Sequence, residues 1–215
     1  MRCKLALRRD VVIGLIVVRH GETDWNRIRR LQGHTDIALN ETGIEQAARL
    51  ALALAGEPIA AIHSSDLARA LATAEPVAAG LGLTVRRNAL LRERNYGILE
   101  GKTFGEIRDQ HPDEAERMRL RDALHAMPNG ESQDAFYRRI VDAVTAIADA
   151  ESRFERDPQS KVLIVTHGGV LDMLYRAALG LPLDAERACP IPNAAINRLT
   201  FDQGRFTVNL WAEGA

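Results

Sequence analysis

The sequence predicts an α/β fold: a three-layer, doubly wound, mostly parallel sheet with helices on both faces and a small helical excursion. Three observations predict it. Residues 11–18, reading VVIGLIVV, are a continuous and mostly β-branched apolar run, the composition of a strand buried on both faces. Residues 162–165, VLIV, repeat that composition far along the chain. Helical stripes alternate with short strand-like runs, the order that βαβ units require.

Taken in order, residues 1–10 carry Arg2, Lys4, Arg8 and Arg9 ahead of the first apolar run. That superficially resembles a signal peptide. The run leads straight into Arg19-His20 with no small-residue cleavage site, so 1–10 reads as a frayed leader and 11–215 as a single domain. A polar loop, 22–39, follows the first strand and holds Arg27, Arg29, Arg30 and His34. Asn40 is the expected N-cap of a helix with Ile44, Ala47, Ala48, Ala51, Leu54 and Ala55 on one stripe, stopped by Gly56. Residues 59–62 read as a short strand ending in His63-Ser64-Ser65-Asp66. A helix from about Ala68 carries Arg69 in its first turn, and Pro76 is expected to bend or divide it. Residues 83–87 read as another strand, leading to Glu93 and Tyr96.

Over 102–129 apolar residues thin out, and Glu114, Glu116, Arg117, Arg119 and Arg121 crowd together. This predicts short helices over the sheet's edge and no second core. Ser132 caps a long helix with Phe136, Ile140, Val144, Ile147 and Ala148 buried. The 162–165 strand precedes a helix over 170–179, ended by Gly180 and Pro182. Residues 196–201 and 206–210, joined by Asp202-Gln203-Gly204, predict a terminal hairpin.

Composition narrows the function. The chain has 215 residues, enough for one domain with a sizeable core. Hydrophobic residues make up 46% and charged residues 27%, the balance of an ordinary globular protein. A net charge of −1 points to neither nucleic acid nor an anionic membrane. No apolar run approaches the roughly 20 residues of a membrane span. Two cysteines, Cys3 and Cys189, make no disulfide framework, so a reducing, cytoplasmic setting is expected.

Both apolar runs end in a histidine and a glycine, Arg19-His20-Gly21 and Thr166-His167-Gly168. Parallel neighbouring strands would bring both histidines to the carboxyl edge, where open α/β sheets bind ligands. A phosphate monoester suits these side chains. Charge accumulates on its oxygens during transfer and calls for cations and N–H donors. Arg19 and Arg69 offer guanidinium forks, while Asn26 and Gln32 offer neutral donors. A neutral imidazole is a competent nucleophile near pH 7. Glu93 is the candidate acid for the departing alcohol, although burial and two flanking arginines pull its protonation in opposite directions.

These residues resemble the histidine phosphatase superfamily, also called phosphoglycerate-mutase-like. The resemblance rests on Arg19-His20-Gly21-Glu22-Thr23-Asp24-Trp25-Asn26, on Gln32-Gly33-His34-Thr35-Asp36, and on Ser64-Ser65-Asp66-Leu67-Ala68-Arg69-Ala70 with Thr73-Ala74. It continues through Glu93-Arg94-Asn95-Tyr96-Gly97 with Glu100-Gly101, Gly130-Glu131-Ser132 and Val165-Thr166-His167-Gly168-Gly169. The ordered set covers nearly the whole chain after the leader and is far more specific than any one motif.

The resemblance implies a transient phosphohistidine on His20, with Arg19, Arg69 and His167 around the phosphoryl group and Glu93 as proton donor. Asn26, Thr23, Gln32, Gly33, Tyr96 and Gly168 would line the substrate site. It implies no metal, and no cofactor beyond a 2,3-bisphosphoglycerate primer if the chain is a mutase. The partner implied is a small phosphorylated metabolite, and the terminal hairpin or an apolar helix leaves room for a homodimer.

Three features resemble the hydrolase branch: the short excursion, the Gln32-Gly33-His34 loop where mutases usually carry tryptophan after the glycine, and the tail Pro192-Asn193-Ala194-Ala195-Ile196-Asn197-Arg198-Leu199. A phosphatase is therefore expected, with a phosphoglycerate mutase as alternative and a phosphate-binding module without chemistry as a third reading. Arg117, Arg119 and Arg121 read as an exposed charged face that would hold a substrate carboxylate in a mutase. Taken singly, Trp25 and Tyr96 read as packing residues, and His63, His111 and His125 as structural or solvent-facing.

Overall fold

The computed structural model describes residues 12–154, 157 and 159–214, so the expected leader at 1–10 lies outside the described residues. The strands are β1 (Ile13–Arg19), β2 (Ile59–Ser64), β3 (Val85–Arg87), β4 (Lys161–Thr166), β5 (Ile196–Asp202) and β6 (Arg205–Glu213). They form a sheet in the order β3-β2-β4-β1-β5-β6. Strands β1, β2, β3 and β4 pair in parallel, and β5 and β6 add an antiparallel edge beside β1. At the β5–β6 turn Gln203 and Gly204 both have positive φ, the geometry that suits the twist of a two-residue hairpin.

Alternation along the central strands explains the two helical layers. Leu15, Val17, Val162 and Ile164 face one core, with α6 (Gln133–Glu151) and α7 (Gly168–Leu179). Ile16, Val18, Leu163 and Val165 face the other, with α2 (Glu41–Leu54) and α3 (Ala68–Leu81). Each such side chain contributes about 1.5–3 kcal/mol on burial. The continuous apolar runs are thus what a strand covered twice requires. The expected stripe of α6 is buried, and Ser132 Oγ accepts the Ala135 N–H as its cap.

Four expectations need correction. The stripe of α2 is Gly43, Ala47, Leu50 and Leu54, while Ile44 is 59% exposed and Ala48 and Ala55 also face outward. The helix is rotated because Gly43 lies against the loop after β1, where a Cβ would come within 2.1 Å of the Glu22 carbonyl. Pro76 does not divide α3, which is unbroken from Ala68 to Leu81. A mid-helix proline costs about 3 kcal/mol. Burial of Ala70, Ala74, Val77 and Ala78 on both sides of it offsets that cost.

The loop expected at 22–39 contains a one-turn helix, α1 (Asp24–Arg27), with a reciprocal cap between Thr23 and Asn26. Trp25 lies on it half-buried and outside the core clusters, with the Arg30 guanidinium 6.0 Å from its ring.

The excursion folds as α4 (Phe104–Gln110) and α5 (Pro112–Arg119). It carries a satellite cluster of Leu99, Ile107 and Met127, which the thin apolar content of 102–129 concealed. His63 and His125 meet Glu151 and Glu114 at 3.1 and 2.7 Å.

Candidate active site

Strand register builds the site. Arg19 pairs with Thr166 at the ends of β1 and β4, and the His20 N–H donates to the Thr166 carbonyl at 2.8 Å. His20 and His167, the next residues, therefore leave the same edge side by side. Their ring centroids are 5.2 Å apart at 60°. His167 is also the N-cap residue of α7, so the edge coincides with a helix N-terminus.

His20 is 3% exposed, and its Nδ1 lies 2.7 Å from the Gly21 carbonyl. A carbonyl only accepts, so Nδ1 carries the proton and Nε2 keeps its lone pair. Burial holds the imidazole well below its ordinary value of 6.5, and Arg19 and Arg69 reinforce the shift. The ring is therefore neutral at pH 7. Asn193 Nδ2 donates to the His20 carbonyl at 2.8 Å, and the Gly21 N–H donates to Thr73 Oγ1 at 2.9 Å.

His167 is also buried and neutral, held well below 6.5 by burial first and then by Arg69. Arg69 Nε donates to its Nδ1 at 3.3 Å, so Nε2 carries the proton and meets Ser65 Oγ at 2.8 Å. Arg69 is fully buried and also donates to the Thr35 carbonyl at 2.9 Å and the Gly33 carbonyl at 2.8 Å. Three of its five N–H groups thus orient the site, which leaves two for an anion. Burial lowers its pKa to about 10, so it remains a cation.

Arg19 donates from Nη1 to the Ile191 carbonyl at 2.7 Å, while its Nε is buried without a partner. Such an orphan donor costs about 1–3 kcal/mol unless a ligand or water satisfies it.

Glu93 sits where α7 begins. Its carboxylate accepts the N–H groups of Gly169 and Arg94, each at 2.8 Å. Its carbonyl accepts from His34 Nε2 at 2.9 Å and from Arg139 Nη2 at 3.1 Å. Gly33 has φ +55°, and a Cβ there would fall 2.0 Å from Glu100 Oε1. Glu100 accepts the His34, Thr35 and Tyr96 N–H groups, which fixes the loop whose carbonyls hold Arg69.

Not every expected binding residue meets the two histidines. Thr23 is fully buried and spends its hydroxyl on capping α1, and Asn26 Oδ1 accepts from Thr23. Gln32 is buried with an unpartnered Oε1. Gly168 lies against Arg19, 3.4 Å from its Nε as measured from an added Cβ. Tyr96 instead lines a cavity of about 590 Å³ between the excursion, α6 and α7. Neither histidine lines this cavity, nor do Arg19, Arg69 or Glu93. Arg94 and Gly169, which hold the Glu93 carboxylate, do. Ser65, Asn193, Glu100 and Arg139 carry positioning roles that the sequence did not announce. Ser65, Glu100 and Asn193 stand in stretches that carry the resemblance, without a role assigned to them there, whereas Arg139 had no signal.

Among the described residues no group of three or more His, Cys, Asp or Glu side chains is gathered to hold a metal ion. No helix among them is long and apolar enough to cross a membrane.

Comparison with known proteins finds similar sequences and folds. A family model described as the histidine phosphatase superfamily (branch 1) matches residues 15–214. The chain is similar to phosphoglycerate mutase-like protein 4 of Arabidopsis thaliana, 36% identical over 204 residues, covering 93% of this chain and 84% of the relative. Among solved structures, YhfR of Bacillus stearothermophilus superposes with a TM-score of 0.85 at 35% identity, covering 94% of this chain and 98% of that one. A mycobacterial glucosyl-3-phosphoglycerate phosphatase superposes with a TM-score of 0.83 at 32% identity, covering 94% and 99%.

Proposed function

The chain belongs to the histidine phosphatase superfamily, branch 1, a family of enzymes, and from that premise we propose that it hydrolyses small phosphate monoesters through a phosphohistidine on His20, without a metal. The observation that carries the reading is the His20 tautomer. Nδ1 is tied to the Gly21 carbonyl, and Nε2 has no hydrogen-bond partner among the described residues, beside the guanidinium groups of Arg19 and Arg69.

In the first step His20 Nε2 attacks phosphorus. The P–N bond forms, the P–O bond to the alcohol breaks, and Glu93 delivers a proton to the departing oxygen. Arg19 and the two free N–H groups of Arg69 neutralise the charge on the phosphoryl oxygens. His167, locked between Arg69 and Ser65, holds Arg69 in place. In the second step Glu93 takes a proton from water, the water oxygen bonds to phosphorus, and the P–N bond returns its electrons to Nε2.

Phosphate release from an aryl phosphate by EDTA-treated protein tests this. The proposal expects release to persist, and His20→Ala to abolish it. Loss of turnover in EDTA, or unchanged turnover in His20→Ala, contradicts it.

A phosphoglycerate mutase primed by 2,3-bisphosphoglycerate is the second reading. It is favoured by Arg117, Arg119 and Arg121 around the cavity and by the name of the Arabidopsis relative. Two of those arginines already have carboxylate partners: Arg117 meets Asp122 at 2.9 Å and Arg119 meets Glu116 at 2.6 Å. That leaves less charge for a substrate carboxylate and supports the hydrolase. Bisphosphate-stimulated exchange between 3- and 2-phosphoglycerate would reverse the preference.

A further inference from the structure

The cavity beside Glu93 has walls of two kinds. Phe104, Ile107, Met118, Met127, Phe136 and Met173 form its apolar part, and three of these are methionines, whose side chains adapt to irregular shapes. Its size, about 590 Å³, falls in the range that encloses a drug-sized molecule, well beyond a three-carbon acid. Residues 169, 172 and 173 line it from α7 at one-turn spacing, so the cavity runs along the helix away from the Glu93 carboxylate.

Nine charged side chains also line it, and two of them carry a buried atom with no hydrogen-bond partner among the described residues. Asp172 is 6% exposed; its Oδ2 meets Arg176 Nε at 3.2 Å, and its Oδ1 lies 3.7 Å from Arg187 Nε with no hydrogen-bond partner among the described residues. Arg94 donates from Nε to the Glu131 carbonyl at 3.0 Å, and its Nη2 is buried and unpartnered. One lacks a donor and the other an acceptor. A hydroxyl supplies either.

Resting on the phosphatase reading above, we propose that this cavity receives the leaving alcohol, and that the alcohol is a bulky apolar ring body carrying a hydroxyl recognised by Asp172 and Arg94. The phosphoryl group would stay with His20. The bridging oxygen would pass Glu93 and Gly169, and the ring would lie among the methionines.

The experiment compares kcat/KM for methyl phosphate, 1-naphthyl phosphate and a naphthalenediol monophosphate. The expected order rises along that series, by about tenfold or more at each step. In Ala115→Phe, which fills the cavity, the naphthyl-to-methyl ratio falls about tenfold. In Asp172→Asn the diol-to-naphthyl ratio falls toward one. A merely structural Asp172, acting through Arg176, would lower both naphthyl substrates equally and leave that ratio intact. A flat series, or an Ala115→Phe ratio equal to the parent's, overturns the cavity assignment. An unchanged diol-to-naphthyl ratio in Asp172→Asn overturns the hydroxyl contact. Absence of phosphate release from every ester would instead count against the phosphatase reading itself.

Discussion

Arg69 donates from Nε to Nδ1 of His167 across 3.3 Å, and that contact decides where the imidazole keeps its proton. The proton must lie on Nε2, where Ser65 Oγ accepts it at 2.8 Å. A helix from one βα unit and a strand end from another are thereby locked into one pocket wall, and the lock is made of neutral and cationic groups only.

Ser65→Ala removes the acceptor and leaves a buried N–H unpaired. Stability should fall by about 1–3 kcal/mol in urea denaturation. Turnover should fall about tenfold or more, because a displaced His167 releases Arg69. Parent-like values of both quantities would show that Ser65 does not hold His167.

Arg69→Lys should behave almost like a deletion. Lysine keeps the charge, but it cannot reach the Gly33 carbonyl, the Thr35 carbonyl and His167 together. The expected loss in kcat/KM is about 100-fold or more. Retention of most activity would mean that charge matters at this position and the fork does not.

Gly169→Ala tests the placement of Glu93. The position lies in the first turn of α7, where alanine favours a helix more than glycine does. Its Cβ would come within 2.1 Å of Glu93 Oε1 and push the carboxylate aside. Turnover should drop about tenfold or more, and because the Cβ would also come within 3.1 Å of the buried Phe136 ring, the melting temperature should fall only slightly. If instead turnover is kept, the placement of Glu93 against Gly169 does not matter to the reaction.

Stability should weaken as pH falls below 6.5. His20 and His167 titrate near 6.5 when unfolded and well below it when folded, chiefly through burial. Between those values the unfolded chain binds more protons, so the native state is fully favoured above 6.5 and loses ground as pH drops toward the folded values. Each imidazole contributes a slope of at most about 1.4 kcal/mol per pH unit. Denaturation curves at pH 7, 6 and 5 check this, and His20→Asn should show a shallower slope. An identical slope in that variant would mean that His20 is not buried in its neutral form.

Much of this architecture can be read in the sequence, for a local reason. A strand buried on both faces must be apolar throughout, so the interruption at Arg19-His20 and again at Thr166-His167 marks the sheet edge. Contacts made by polar loop residues leave no such trace. Arg139 looks like any surface charge until the fold sets it against the Glu93 carbonyl, and Glu100, though part of a motif, shows its hold on the 33–35 loop only in the fold. The rotation of α2 was concealed because Gly43, the residue that sets it, has no side chain to count as apolar. The antiparallel hairpin was visible as a hairpin, but its place beside β1 depends on pairing between residues at opposite ends of the chain.

The most direct test is rapid-quench of the protein with an aryl phosphate, followed by mass analysis of the intact chain and its peptides. The predicted result is an acid-labile phosphoryl group on His20, formed and lost at rates that match turnover and absent from His20→Ala. Phosphate release with no such adduct, or an adduct carried by another residue, would contradict a nucleophilic His20.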